Sequence, residues 1–312
     1  MKGKILIVDT IHPSIFPELE ALGFASDYLP DISRGEVLKI ISGYRGIIVR
    51  SKLTIDADLL KRASQLEFIA RAGAGVDLID VTEVNNRGIK IFNAGEGNRN
   101  AVAEHAIGML LCLLNKIHTS DREVRNFQWR REENRGYELG KLTVGIVGYG
   151  NTGRAFAKRL SGFGCKILAY DKYHKLTGDE LVKEAGMEEI YSNVDILSLH
   201  IPLNIETKGM INKDFLDRFK KKIWLVNTSR GEIVKLKDLN EALDNRTVSG
   251  AALDVLENEN LHNLNIDQKL NLENLVKRDN VVFTPHVAGW TFESLIKINQ
   301  TLVGKIRDHY GS

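Results

Sequence analysis

The chain has little cysteine and little proline: two and five residues in 312. Cys112 and Cys165 lie far apart, and neither has a partner at metal-ligand spacing. They read as buried reduced thiols in a reducing compartment, not as a disulfide framework. None of the eight histidines forms an H-x-x-x-H or H-E-x-x-H pattern, so no metal is expected. Charge of one sign is also missing. With 43 basic and 41 acidic residues the net charge is +2, which gives no reason to invoke nucleic acid or an anionic membrane. The most apolar stretch, Ala101–Leu114, contains Glu104 and His105 and is too short to span a bilayer. The segment Met1-Lys2-Gly3-Lys4 and the short apolar run after it lack a signal peptide's h-region and cleavage site. The expectation is a cytoplasmic protein. Solenoid repeats and low-complexity tracts are absent. What remains is an ordinary globular composition, 43% apolar and 27% charged, at a length suited to two domains and a small-molecule partner.

The strongest positive signal is at residues 141–171. A β-like run, Lys141–Val147, leads into Gly148-Tyr149-Gly150-Asn151-Thr152-Gly153. An amphipathic segment, a second strand (Lys166–Tyr170) and Asp171 follow. This is a dinucleotide fingerprint in its strand–turn–helix–strand setting. Gly148 permits the tight turn, Gly150 lets the backbone approach a pyrophosphate, and Gly153 lets helix and strand pack. Asn151 and Thr152 offer donors at the helix start. Asp171, as acceptor for the adenosine ribose hydroxyls, favours NAD over NADP, although Lys172, His174 and Lys175 leave room for the latter.

Elsewhere strand and helix patterns alternate, which argues for parallel sheets with helices on both faces. In the first hundred residues the strand-like runs are Ile5–Val8, Ile47–Val49, Phe68–Ala70 and Ile89–Phe92, with helices such as Ile15–Leu22, Arg34–Ile41 and Ala57–Arg62. No glycine fingerprint occurs there. Asn100–His118 is apolar on nearly every face and reads as one helix buried all round. Thr119–Leu139 is arginine-rich (Arg122, Arg125, Arg130, Arg131 and Arg135 around Trp129). It reads either as a solvated connecting arm or as an interface or anion-binding segment. The second half adds strand candidates Ile196–His200, Ile223–Asn227, Gly250–Leu253 and Val281–Thr284, each ending in polar or small residues. Ligands in open α/β sheets bind at such carboxyl ends. Glu257–Asn280 reads as a surface excursion with room for a short helix. Phe292–Tyr310 reads as an amphipathic helix able to return to the first half. The fold class is therefore α/β, with two Rossmann-like parallel-sheet domains. Residues 1–98 plus 290–312 form a substrate-binding domain, and residues 99–289 a dinucleotide-binding one.

Thr228-Ser229-Arg230-Gly231-Glu232-Ile233-Val234, Gly250-Ala251-Ala252-Leu253-Asp254-Val255 and Thr284-Pro285-His286 resemble signature blocks of the D-isomer-specific 2-hydroxyacid dehydrogenases. They follow the fingerprint in that family's order. Arg71-Ala72-Gly73-Ala74-Gly75-Val76-Asp77 and Asn100-Ala101-Val102-Ala103-Glu104 are also similar, so the resemblance covers nearly the whole chain. Val49-Arg50-Ser51 and Trp129-Arg130-Arg131 look most like the short phosphoglycerate dehydrogenase branch, whose larger members carry C-terminal regulatory domains for which no room is seen after Ser312. Trp290 departs from that branch, standing where a small Ser or Thr is usual. The excursion after Glu259 is longer than usual and lacks the customary proline.

The resemblance implies hydride transfer between NAD and a 2-hydroxy acid. His286 would be the base. Glu259 would orient it and favour its charged form, with Glu257 as the competing candidate. Arg230 would hold the carboxylate and polarise the C2 oxygen, helped by backbone N–H groups of Ala72, Gly73, Ala74 and Gly75. His200, Pro202, Thr228, Ser229, Asp254, His286 and Gly289 would contact the cofactor, Asp254 through the carboxamide. Arg50 and Arg71 would recognise a phosphate, with Arg130 or Arg131 reaching in from a neighbouring subunit. The expected substrate is D-3-phosphoglycerate, and the alternatives are glyoxylate, hydroxypyruvate, pyruvate or another small 2-keto acid. A non-catalytic NAD-sensing corepressor is the reading from another class. A symmetric homodimer through residues 100–135 is expected.

Overall fold

A computed structural model describes residues 2–176 and 179–311. Its elements run β1 (Gly3–Ile7), α1 (Ile15–Ala21), β2 (Phe24–Tyr28), α2 (Arg34–Ile40), β3 (Gly46–Val49), α3 (Ala57–Arg62), β4 (Phe68–Arg71), α4 (Val81–Asn86), β5 (Lys90–Asn93), α5 (Gly95–Leu114) and α6 (Ile117–Arg125). They continue with β6 (Thr143–Val147), α7 (Asn151–Leu160), β7 (Lys166–Tyr170), β8 (Lys183–Glu184), α8 (Met187–Asn193), β9 (Ile196–Leu199), α9 (Lys213–Leu216), β10 (Ile223–Asn227), α10 (Leu236–Asp244), β11 (Val248–Leu253), α11 (Ile266–Val276), β12 (Val281–Phe283) and α12 (Phe292–Tyr310). The chain divides into two compact units, residues 1–99 with 290–312 and residues 100–289.

The first unit holds a parallel sheet of order β2-β1-β3-β4-β5. Its inner strands are apolar at successive positions, as burial on both faces demands. Leu6, Ile47 and Ile69 enter one cluster, with Val37, Leu59 and Val84 of the helices. Their neighbours Ile5, Ile7, Ile48 and Ala70 enter the opposite one. Ile298, Leu302, Val303 and Ile306 of α12 complete that second cluster, so the last helix packs on the first unit. A capping box between Thr291 and Ser294 starts it. The order reverses between β1 and β3, which places a switch point there.

The second unit holds the parallel order β12-β11-β10-β9-β6-β7-β8, with its reversal between β6 and β9. Leu197, Leu199, Leu225 and Leu253 face one cluster and Val144, Ile146, Ile196 and Val226 the other. The side-chain period of two on these short strands feeds both faces.

Two expectations need correcting, and the short helix for which Glu257–Asn280 left room is present. The helix expected over Asn100–His118 starts earlier, at Gly95, and stops at Leu114. Lys116 then takes a left-handed φ of 51° and α6 begins. Apolar content continued through Ile117, but Asn115 and Lys116 break the backbone. Thr119–Leu139 is accordingly not wholly a connecting arm, because its first residues are helical. The excursion Glu257–Asn280 holds an eleven-residue helix, α11, started by a box between Asn265 and Gln268. Among the described residues no helix is long and apolar enough to cross a membrane.

Candidate active site and cofactor seat

In the second unit the glycine loop joins β6 to α7. Gly148 has φ +93°, and a Cβ there would meet the carbonyl oxygen of His200 at 2.4 Å. A Cβ on Gly153 would meet the carbonyl of Gly148 at 2.1 Å. Both positions need hydrogen in place of a side chain. Gly150 differs, since nothing lies within 4 Å of its Cβ position and the space before the helix start is open. A ten-residue helix begins directly after it, with Asn151 and Thr152 in its first turn. Its unpaired N–H groups and dipole suit an anion. Asp171 follows β7, and its carboxylate accepts the N–H groups of Tyr149 at 2.8 Å, Tyr173 at 2.9 Å and His174 at 3.0 Å. Burial pushes this acid up, but those donors outweigh it and hold it below its ordinary value. Asp171 thus ties the glycine loop to the end of β7 and stays charged.

The strand ends carry the remaining candidates. After β10, Asn227 takes the N–H of Ser229 and gives its amide to the carbonyl of Arg230. Ser229 donates to the carbonyl of Leu199 at 2.7 Å. The Arg230 guanidinium donates to the carbonyl of Ser229. Gly231 follows because a Cβ would overlap the carbonyl of Leu256, 1.8 Å away. Thr228 has a buried hydroxyl with no partner among the described residues. Such a group costs about 1–3 kcal/mol unless a ligand or water meets it. Open space at Gly150, a helix start and this orphaned hydroxyl together fit a dinucleotide.

His200 ends β9. Its Nε2 lies 2.9 Å from the Ser198 hydroxyl, and its ring centroid is 5.0 Å from that of Phe156. Burial pushes the imidazole down to about 3, so it stays neutral and packs. Pro202 is exposed, its carbonyl taken by the Thr207 hydroxyl.

After β12 comes the loop with His286. Its φ is +55°, a left-handed conformation that is uncommon for a non-glycine residue and points to a held turn. Asp254, buried at the end of β11, provides the holding. Its carboxylate accepts the hydroxyl of Thr284 and the N–H groups of Val287 and Ala288, and its carbonyl accepts the N–H of His286. His105 of α5 adds a bond to the Thr284 hydroxyl at 2.9 Å. Neither His105 nor Thr284 was given a role from sequence, although Thr284 stands in the Thr284-Pro285-His286 block and His105 in an apolar helix. Gly289 closes this turn. The Glu259 carboxylate stands 2.8 Å from His286 Nδ1. Glu257 instead accepts the N–H of Leu236, with burial pushing its pKa up.

The first unit carries the other candidates. Arg50 follows β3 and Arg71 ends β4, and both line a small recess with Gly75, Asp77 and Leu78. Asp9, past the end of β1, accepts the N–H groups of Arg50 at 2.6 Å and Ser51 at 3.4 Å. The Arg50 guanidinium lies 3.4 Å from the centre of the Trp290 ring. Of the four N–H groups expected to hold a carboxylate, two are already spent. Ala72 donates to Val49 and Gly73 to Arg71. Those of Ala74 and Gly75 have no such partner among the described residues. Arg130 is engaged by Glu123 and Glu133 of its own segment. No group of three His, Cys, Asp or Glu residues suited to a metal occurs among the described residues.

The chain is 34% identical over 305 residues to a D-3-phosphoglycerate dehydrogenase of Archaeoglobus fulgidus, covering 97% of this chain and 56% of that one. It is 34% identical over 292 residues to a hydroxypyruvate reductase of Thermotoga maritima, covering 94% and 92%. The chain spans about half the length of the phosphoglycerate dehydrogenases it matches. A D-lactate dehydrogenase of Aquifex aeolicus, solved with NAD and lactic acid, superposes with a TM-score of 0.84 at 26% identity, over 99% of this chain and 95% of that one. Residues 107–288 match the model of the D-isomer specific 2-hydroxyacid dehydrogenase, NAD binding domain. The chain belongs to the D-isomer-specific 2-hydroxyacid dehydrogenases.

Proposed function

We propose that the chain interconverts D-3-phosphoglycerate and 3-phosphohydroxypyruvate, the oxidation that commits this precursor to serine synthesis. The observation that carries the dehydrogenase reading is the Glu259–His286 pair on a turn fixed by Asp254. When bound, NAD supplies the hydride acceptor. His286 takes the C2 hydroxyl proton on Nε2, since Glu259 occupies Nδ1. Glu259 holds the ring and balances the imidazolium that forms. Arg230 forks onto the substrate carboxylate and polarises the C2 oxygen. Asp171 holds the adenosine ribose and repels a 2′-phosphate. Arg50 and Arg71 take the substrate phosphate, and the name of the Archaeoglobus relative supports that tail.

A second reading, reduction of a smaller keto acid such as hydroxypyruvate, glyoxylate or pyruvate, is favoured by two observations. Asp77 puts a carboxylate among the two arginines. The Thermotoga relative covers its own length almost fully and is named for such a reaction. Steady-state turnover with NADH across a panel of 2-keto acids decides between them. The proposal expects the highest kcat/KM with phosphohydroxypyruvate. A higher value with an unphosphorylated acid would favour the second reading.

We further propose a cytoplasmic homodimer through residues 100–135, where Phe127 and Trp129 are 99% and 79% exposed. Exposed aromatics in one segment suit an interface. Light scattering at micromolar concentration should give twice the mass of the 312-residue chain, and a monomer would defeat this.

A further inference from the structure

The switch point of the first sheet holds a contact that the dehydrogenase chemistry does not by itself require. Ligands of open α/β sheets bind outside the carboxyl ends of the strands where the order reverses, here between β1 and β3. Asp9 stands past one of those ends and Arg50 past the other. By accepting the N–H groups of Arg50 and Ser51, Asp9 sets the direction in which the chain leaves β3. The Arg50 guanidinium then lies 3.4 Å from the centre of the Trp290 ring. Burial pulls the Arg50 pKa down against the pull of Asp9, so this cation is partly desolvated. A cation–π contact gains strength under that condition.

The indole is tied down in turn. The next residue, Thr291, caps α12 through its box with Ser294. The helix is anchored by Ile298, Leu302 and Ile306, all at most 5% exposed. The ring itself stays half open. Guanidinium donors lie in the plane of the group, so a ring stacked on its face covers no donor. The stack removes freedom of rotation and leaves the edge as the surface that can be presented. Arg71, Gly75 and Asp77 line the recess to which Arg50 belongs.

We propose that Trp290 is a positioning and specificity-determining residue, fixing the plane of the Arg50 guanidinium so that its edge meets the anionic tail of the substrate. This rests on the reading of Arg50 as the tail-binding group. A bare arginine gives up side-chain entropy when it orders around an anion. Here the indole has ordered it beforehand, and affinity rises because less is lost on binding. A keto acid with a neutral tail makes no use of that edge. Trp290 therefore acts on the discrimination between a phosphorylated and a neutral tail, through Arg50 and without touching the reacting carbon.

The test uses Trp290→Leu, which removes the ring and keeps apolar bulk, and Trp290→Phe, which keeps a ring. Each is made alone and with Arg50→Ala, and each is assayed with NADH against phosphohydroxypyruvate and hydroxypyruvate. Trp290→Leu should raise KM for phosphohydroxypyruvate about five- to tenfold with kcat within about twofold. The ratio of kcat/KM between the two substrates should fall by the same factor. Trp290→Phe should recover most of the loss. In the Arg50→Ala background Trp290→Leu should change the ratio by less than about twofold, because the two side chains act as one unit. Equal losses in the Leu and Phe variants, a loss that persists without Arg50, or a loss mainly in kcat would overturn the proposal. If Arg50→Ala lowers the ratio and Trp290→Leu does not, the tail reading of Arg50 stands and the role of Trp290 falls. If Arg50→Ala leaves the ratio untouched, the tail reading fails and this inference fails with it.

Discussion

Two glycine loops follow strands in this chain, and they do different work. After β6, the loop Gly148–Gly153 runs straight into α7, with open space at Gly150. After β4, the loop Ala72–Gly75 leads to no helix until Val81. Its Gly73 is crowded by Arg71, whose guanidinium nitrogen lies 1.4 Å from where a Cβ would stand. Glycine content is similar, and what differs is the next element. A loop that opens a helix offers a row of unpaired N–H groups and a dipole to a diphosphate. A loop that leads to no helix offers no such row. The fingerprint is therefore a statement about the helix as much as about the glycines.

Changes in the second unit should strike turnover and cofactor, and changes in the first should strike the substrate tail. The largest effect is expected for His286→Ala, which should lower kcat by roughly 10²–10⁴ at saturating substrate. A kcat within threefold of wild type would remove His286 from the chemistry. Arg50→Ala and Arg71→Ala should each raise KM for phosphohydroxypyruvate roughly 10- to 100-fold, the value of one charged hydrogen-bonding group. Arg230→Ala, by contrast, should depress phosphorylated and unphosphorylated acids alike. Wild-type kinetics in both tail variants would leave the smaller keto acids as the substrate class. Asp171→Ala should shrink a preference for NADH over NADPH about tenfold, and kcat/KM for both cofactors measures it. An equal preference in the wild type would show that Asp171 serves the loop alone.

A further expected effect is on acid stability and not on kinetics. His200 is held down to about 3 by burial, against an ordinary value of 6.5, so the unfolded chain binds a proton that the folded one refuses. Stability from this group is present above pH 6.5 and is lost as pH falls toward 3. His200→Asn should flatten the pH dependence of urea unfolding in that window. An unchanged slope would mean that His200 is hydrated in the folded state.

Much of the fold could be read from the sequence wherever strands are buried on both faces. Such runs as Ile47–Val49, Ile223–Asn227 and Phe68–Ala70 lie inside observed strands because every position but Asn227 is apolar. Edge strands were not legible. β2 is Phe-Ala-Ser-Asp-Tyr, at least partly exposed at every position after the buried Phe24, and β8 is the two exposed residues Lys183 and Glu184. The break at Lys116 hid inside an apolar run, and the bounds of α11, though a short helix had room there, were not legible in its asparagine-rich stretch. For the candidate site, glycine spacing brought out the dinucleotide loop and strand ends marked where polar residues cluster, while the roles of Arg230, Glu259 and His286 came from the family resemblance. Contacts between residues distant in sequence could not be seen that way. Trp290 was visible as an odd residue, but its seat on Arg50 exists only once α12 has returned to the first sheet. Asp9 went unnoticed because an acid after a strand has many uses, and its partner lies two strands on in the chain.

The division of labour between the loops is tested most directly by titrating NADH onto the wild type, Gly150→Ala and Arg71→Ala by calorimetry. Gly150 has φ −80° and nothing near its Cβ position, so an alanine there costs the fold little and meets only a ligand. The account predicts an NADH Kd raised at least about tenfold in Gly150→Ala, roughly the loss of one close backbone contact with a phosphate. In Arg71→Ala it predicts a Kd within about twofold of wild type. Wild-type binding in Gly150→Ala, or a large loss in Arg71→Ala, would contradict it.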